Sequence, residues 1–108
     1  MKNVIIHKSE TLKLALKKIG KNTLGSCIVV EKGNILYGIL SDGDIRRLIL
    51  KKVPLNSKVG NFCNRKVKSL SINSNNLEIQ KNLNKKIKLI PLVDSTERVI
   101  DYATIAKY

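Results

Sequence analysis

The chain repeats itself. A shift of 63 residues lays Cys27-Ile28-Val29-Val30-Glu31 over Ile90-Pro91-Leu92-Val93-Asp94, and, without a gap, Leu40-Ser41 over Ala103-Thr104. Few identities support the match. One offset that superposes two apolar runs and a hydroxyl nevertheless marks an internal repeat. Such a repeat restricts the fold sharply, because about 50 residues cannot build a good core alone. The two copies are expected to pack on each other as a pseudo-symmetric pair.

Each copy reads as strand, helix, strand, strand, helix. Residues 4–6 form a short strand. Ser9 is placed to cap a helix over 10–19, where Leu12, Ala15, Leu16 and Ile19 recur at helical spacing. Gly20 with Asn22 reads as its end. Residues 26–31, SCIVVE, are a β-branched strand, and Lys32-Gly33-Asn34 supplies turn chemistry into a second strand over 35–40. A tight acidic turn, Asp42-Gly43-Asp44, then opens on a helix over 44–51 carried by Ile45, Leu48 and Ile49. Pro54 begins a connecting segment through Asn56-Ser57 and Gly60-Asn61. The second copy reads as a strand over 67–72, then a helix capped by Ser74 or Asn75 and running through 85. A strand over 89–93, a turn at 94–97 and a strand over 98–103 follow. Residues 104–108 have room for only the first turn of a closing helix. The expected fold is α+β, with repeats at 1–55 and 56–108, each a small three-stranded sheet with two helices, the last one truncated.

At 43% hydrophobic residues the 108-residue chain can bury a core. No apolar run approaches the ~20 residues a bilayer needs. The start, MKNVIIHKSE, has three consecutive aliphatics before charge returns, too few for a signal peptide. A cytoplasmic location is expected. Cys27 and Cys63 are not spaced as CxxC, and only His7 could join them, so two free thiols are expected and no zinc site. The net charge of +13 is nearly all lysine, spread across every segment of a chain also rich in asparagine and isoleucine. That usage fits an AT-rich genome. Tyr37, Phe62, Tyr102 and Tyr108 are not interleaved with basic residues as a stacking platform requires, which argues against a nucleic-acid partner.

Catalytic groups are few. Asp42 and Asp44 could seat a cation or do acid–base work, yet two aspartates flanking a glycine suit a turn and a helix cap. His7 has no evident partner, Ser41 lacks a strained elbow sequence, and no glycine-rich phosphate loop occurs. The chain reads as non-catalytic and free of any cofactor. Ser41 and Asp44 do suit a ligand: a hydroxyl and a carboxylate at a strand-to-helix junction can clasp a sugar diol, since an ionised carboxylate accepts from both hydroxyls. The first amides of the helix face any nearby anion. Gly38 lets backbone and ligand approach closely. Arg46 and Arg47 point about 100° apart, so one of them faces the cleft and could fork onto a phosphate; otherwise both form surface ion pairs.

This architecture, carrying GILSDGDIRR, resembles a tandem pair of cystathionine-β-synthase-type (CBS) domains, a Bateman module. The resemblance covers essentially the whole chain and is stronger in the first copy. It implies a cleft between the repeats that binds an adenosine-containing nucleotide, AMP, ADP or ATP, and regulates an enzyme or transporter domain on the same chain. The family's ribose-binding pattern reads here as Gly38-Ile39-Leu40-Ser41-Asp42-Gly43-Asp44. By resemblance Ser41 contacts the ribose or phosphate edge, and Asp44 accepts from the ribose hydroxyls. In the second copy, Asp101-Tyr102-Ala103-Thr104-Ile105-Ala106-Lys107, the hydroxyl survives as Thr104 while Lys107 stands where the acid should be. Lysine cannot accept a hydrogen bond, so one nucleotide per chain is expected, the second cleft being altered, empty or tuned to a phosphate. The wording SDGDIRR, in a chain that starts almost at its first strand, further resembles the regulatory pair at the front of sugar-phosphate nucleotidyltransferases of the mannose-1-phosphate guanylyltransferase type. A similar DGDxRR wording occurs in arabinose-5-phosphate isomerases, where the pair follows the catalytic domain. A catalytic domain beyond residue 108 and a homodimer are the implied partners. The competing expectation is a dimerisation unit with a decayed pocket, pairing through helices 10–19 and 44–51; a basic nucleic-acid-binding module stands third.

Overall fold

Two β-hairpins organise the molecule, a computed structural model in which residues 1–106 are described. The first joins β2 (Ser26–Glu31) to β3 (Ile35–Ser41) and the second joins β5 (Leu89–Val93) to β6 (Val99–Thr104). In the first turn Gly33 and Asn34 take the left-handed backbone, φ 82° and 62°, where glycine and asparagine are favoured. The 63-residue shift carries one hairpin register onto the other. Ser26↔Ser41 becomes Leu89↔Thr104, Cys27↔Leu40 becomes Ile90↔Ala103, and the bulge at Val29/Val30 recurs at Leu92/Val93. The repeat is therefore structural, down to its irregularity.

The hairpins meet at their tips across a pseudo-twofold axis. Ile35 bridges Arg98, the Leu36 N–H donates to the Glu97 carbonyl, and the Val99 N–H donates to the Asn34 carbonyl, both at 2.9 Å. The shift exchanges these two bonds, so the axis passes between Ile35 and Arg98. A parallel strand completes each sheet: β1 (Ile5–His7) beside β2, and β4 (Leu70–Ser71) beside β5. The remaining elements are α1 (Leu12–Asn22), α2 (Asp42–Leu50), α3 (Asn76–Asn82) and a single 3-10 turn at Val59–Asn61. Two three-stranded sheets with three helices give the expected α+β class; residues 105–106 form a turn, and the rest of the expected closing helix lies outside the described residues.

The core has three parts. Leu12, Ala15, Ile19, Leu40, Ile45 and Val59 are buried over the first sheet, and Ile79, Ile90, Leu92 and Ala103 over the second. Between them Val4, Ile28 and Val30 of one repeat pack on Leu89, Val93 and Val99 of the other. That middle layer makes the two halves one body.

Besides α2, which starts at Asp42 rather than Asp44, three elements depart from expectation, each for a physical reason. Helix α1 starts at Leu12, capped by Thr11, and Ser9 hydrogen-bonds His7 instead. Residues before Leu12 are engaged elsewhere: Thr11 bridges Lys58, and the Glu10 and Lys8 carbonyls accept from the Val59 and Gly60 N–H groups of the connecting segment. The helix also runs past Gly20 and closes only at Thr23, which takes φ 58° and donates its N–H to the Ile19 carbonyl. Strand β4 is two residues long rather than six. In the first repeat the Ile28 N–H donates to the Val4 carbonyl at 2.7 Å; the matching position is Pro91, which has no N–H to give. Pairing cannot extend back, and residues 66–68 are left free of the sheet. Helix α3, capped by Asn75, stops at Asn82, because Asn84 turns the chain by accepting from Lys86 and Ile87 N–H groups.

Candidate functional site

Strand β3 ends directly in helix α2, and Ser41 is the joint. Its hydroxyl accepts from the Asp44 N–H at 3.0 Å, and its own N–H donates to Asp44 Oδ2 at 3.0 Å, a capping box. Asp42 and Gly43 thus belong to the first helical turn, not to a separate acidic turn. Arg47 donates to Asp44 Oδ1 at 2.6 Å. Burial alone would raise the Asp44 carboxyl; the Ser41 backbone and hydroxyl and the Arg47 guanidinium outweigh it and hold the group below its ordinary value. Asp44 is therefore ionised at neutral pH, an acceptor with about four lone-pair sites, only part of which these contacts use.

A depressed carboxyl has a definite sign in stability. The Asp44 contribution is present above the unfolded carboxylate value of about 3.9 and is lost as pH falls through the lower folded value. The stability gap between the chain and its Asp44→Asn variant should hold from pH 7 to about 5 and close toward pH 3. Urea unfolding across that range measures it.

Ser41 and Asp44 line one wall of a cleft of about 540 Å³. Leu24 and Gly25 ahead of β2, Ser26 at its start and Ile39 on β3 continue the wall. The opposite side comes from the second repeat: Lys66, Val67 and Lys68 ahead of β4, and Lys85 to Leu89 leading into β5. A second cleft of about 570 Å³ is its pseudo-symmetric mate. There Tyr102, Thr104 and Ala106 stand in for Ile39, Ser41 and the start of α2, and residues 1–4 with Asn22 and Leu24 form the facing side. Thr104, almost fully buried, thus belongs to the second cleft and not the first. Lys107, expected in place of its acid, lies outside the described residues.

The other expected site residues are placed differently. Arg46 pairs with Asp42 at 3.2 Å and Arg47 with Asp44, their side chains 72% and 66% exposed, and neither lines the cleft. Gly38 faces protein. The Ile39 N–H donates to the Asn64 carbonyl at 2.9 Å and the Asn64 N–H to the Ile39 carbonyl at 2.8 Å. A Cβ on Gly38 would lie 2.6 Å from Cys63 Sγ and 2.7 Å from the Asn64 carbonyl oxygen. The glycine admits the connecting segment and not a ligand. Gly38→Ala should cost about 1–3 kcal/mol by overpacking, read as a lower urea midpoint.

The thiols are structural. Burial pushes Cys27 up to about 12 and raises Cys63 as well, so both stay protonated. His7, exposed at the end of β1, meets its neighbour Ser9 through Nδ1. Among the described residues no group of three or more His, Cys, Asp or Glu side chains could hold a metal ion, and no helix is long and apolar enough to cross a membrane. What sequence reasoning missed is the gathering of Lys66, Lys68, Lys85, Lys86 and Lys88 around one cleft. The only signal was two lysine-dense stretches, KVK and KKIK, each just before a strand of the second repeat.

Residues 1–51 match the family model of the CBS domain. The fold is that of a CBS pair. The CBS domain protein PAE2072 from Pyrobaculum aerophilum, complexed with AMP, superposes with a TM-score of 0.76 at 15% identity, covering 96% of this chain and 81% of that one. The CBS domain pair of protein MJ0100, in complex with 5′-methylthioadenosine and S-adenosyl-L-methionine, gives 0.79 at 19% identity over 96% and 82%. An uncharacterized protein of Helicobacter pylori is 40% identical over 98 residues, 89% of this chain and 30% of its own length. The chain thus spans about 30% of the length of the first curated relatives it matches. CBS domains are in general regulatory modules and not enzymes.

Proposed function

We propose that this CBS pair is a non-catalytic regulatory module that binds one adenosine-type nucleotide, AMP, ADP or ATP, in the first cleft. The observation that carries the reading is the Ser41–Asp44 clasp, an ionised, preorganised carboxylate on the cleft wall. The adenosine ligands of the two solved CBS pairs support the same ligand class. Two repeats joined at their hairpin tips can change relative orientation when a ligand bridges them, which would bias an attached domain. That domain is proposed as a sugar-phosphate nucleotidyltransferase on the same polypeptide, on the SDGDIRR wording and the greater length of the relatives. A cytoplasmic homodimer is the proposed setting. On α2, Ile49 and Leu50 are 45% and 78% exposed, an apolar edge that also favours the second reading, a dimerisation unit with a silent pocket.

Thermal melting with AMP, ADP, ATP, GTP and CMP at about 1 mM tests the reading by mass action. A ligand present at a hundredfold excess over its Kd stabilises by about 2.7 kcal/mol, roughly 10 °C for a domain of this size. Adenine nucleotides should raise the midpoint and CMP should not. No shift with any nucleotide would leave the dimerisation reading in possession.

A further inference from the structure

We infer that the first cleft selects a nucleoside polyphosphate, its affinity climbing with each added phosphate. The inference rests on the reading of Ser41 and Asp44 as a ribose clasp and concerns the opposite wall. There five lysines, Lys66, Lys68, Lys85, Lys86 and Lys88, line a cleft whose one acidic lining residue among those described is Asp44. Asp44 is already paired with Arg47, so it does little to neutralise the lysines.

These lysines sit on shaped backbone. Asn64 Oδ1 accepts from the Lys66 N–H at 3.0 Å. Asn84 Oδ1 accepts from the Lys86 and Ile87 N–H groups at 2.8 Å each, and the Asn84 N–H donates to the Ile87 carbonyl at 3.0 Å. Pro91 keeps residues 66–68 out of the sheet, where they remain available to the cleft. The mate cleft has Lys2 as its one lysine among the described lining residues. The contrast between the clefts is one of charge, since their volumes are nearly equal.

Each lysine is exposed, so each attraction is weak and screened by salt. Around one concavity they act together on a ligand's whole charge. A phosphate monoester brings about two negative charges and leaves most of the five ammonium groups unmatched. Each further phosphate adds roughly one more charge, along a chain that can reach from the ribose clasp across to the lysine wall.

Calorimetric titration of the full chain with adenosine, AMP, ADP, ATP and inorganic tripolyphosphate tests this. At about 50 mM KCl the Kd should fall at each step from adenosine to ATP, by at least about tenfold between AMP and ATP, and the advantage should shrink at about 300 mM. The variant Lys85→Ala/Lys86→Ala/Lys88→Ala, which alters only exposed side chains, should bring the AMP-to-ATP ratio within about threefold, weakening ATP most, AMP less and uncharged adenosine least. A flat or reversed series in the unaltered chain overturns the inference and leaves the nucleotide reading standing. Tripolyphosphate binding as tightly as ATP overturns it too, by making the cleft a bare polyanion site. No binding of any adenosine compound overturns the reading of Ser41 and Asp44 itself.

Discussion

Asp44→Ala should weaken nucleotide binding by at least about a hundredfold, because hydrogen bonds to a charged group contribute about 1.5–3 kcal/mol each, a diol makes two, and each 1.4 kcal/mol is about tenfold. The same change opens the capping box, which should cost about 1 kcal/mol of stability. The two effects separate by measurement: calorimetry gives the Kd and urea unfolding gives the stability. Asp44→Asn keeps one acceptor oxygen but adds an NH₂ donor beside Arg47, so its affinity should fall between the two. A folded Asp44→Ala chain with an unchanged Kd would remove the clasp from the account.

The largest stability effect should come from Ile28→Ala, about 2–5 kcal/mol. Ile28 is fully buried in the layer shared by the two repeats, against Leu89, Val93 and Val99 of the second. A cavity there damages both halves at once, since neither can close its sheet face without the other. The variant should still unfold in one cooperative transition with an unchanged denaturant slope. Two separate transitions would contradict the picture of one shared core.

Much of this fold was legible in the residues. Strands β2 and β5 fall where their β-branched and apolar runs predict, and the offset read from seven aligned positions reproduces a whole register with its bulge. What was not legible depends on partners distant in sequence. Helix α1 begins late because residues 55–59 claim the chain before it. Strand β4 is short because a proline twenty-odd residues later withholds one N–H. The same limit applies to the site. Ser41 and Asp44 form a local motif, three residues apart, and the structure brings both to a cleft. Gly38 carried the right residue type for close approach but the wrong neighbour, since Cys63 and Asn64 arrive from the connecting segment. Arginines beside aspartates at helical spacing satisfied one another, whereas lysines from two separate stretches converged. Along the sequence they looked evenly scattered.

The most direct measurement is a nucleotide titration followed in backbone amide resonances. The account predicts saturable shifts at Ser26, Ile39, Ser41, Asp44, Lys66 and Ile87, with one site per chain. Asn3, Asn22, Tyr102 and Thr104, which line the mate cleft, should stay near their free positions. Saturable shifts centred on those four, or none at Ser41 and Asp44, would contradict it.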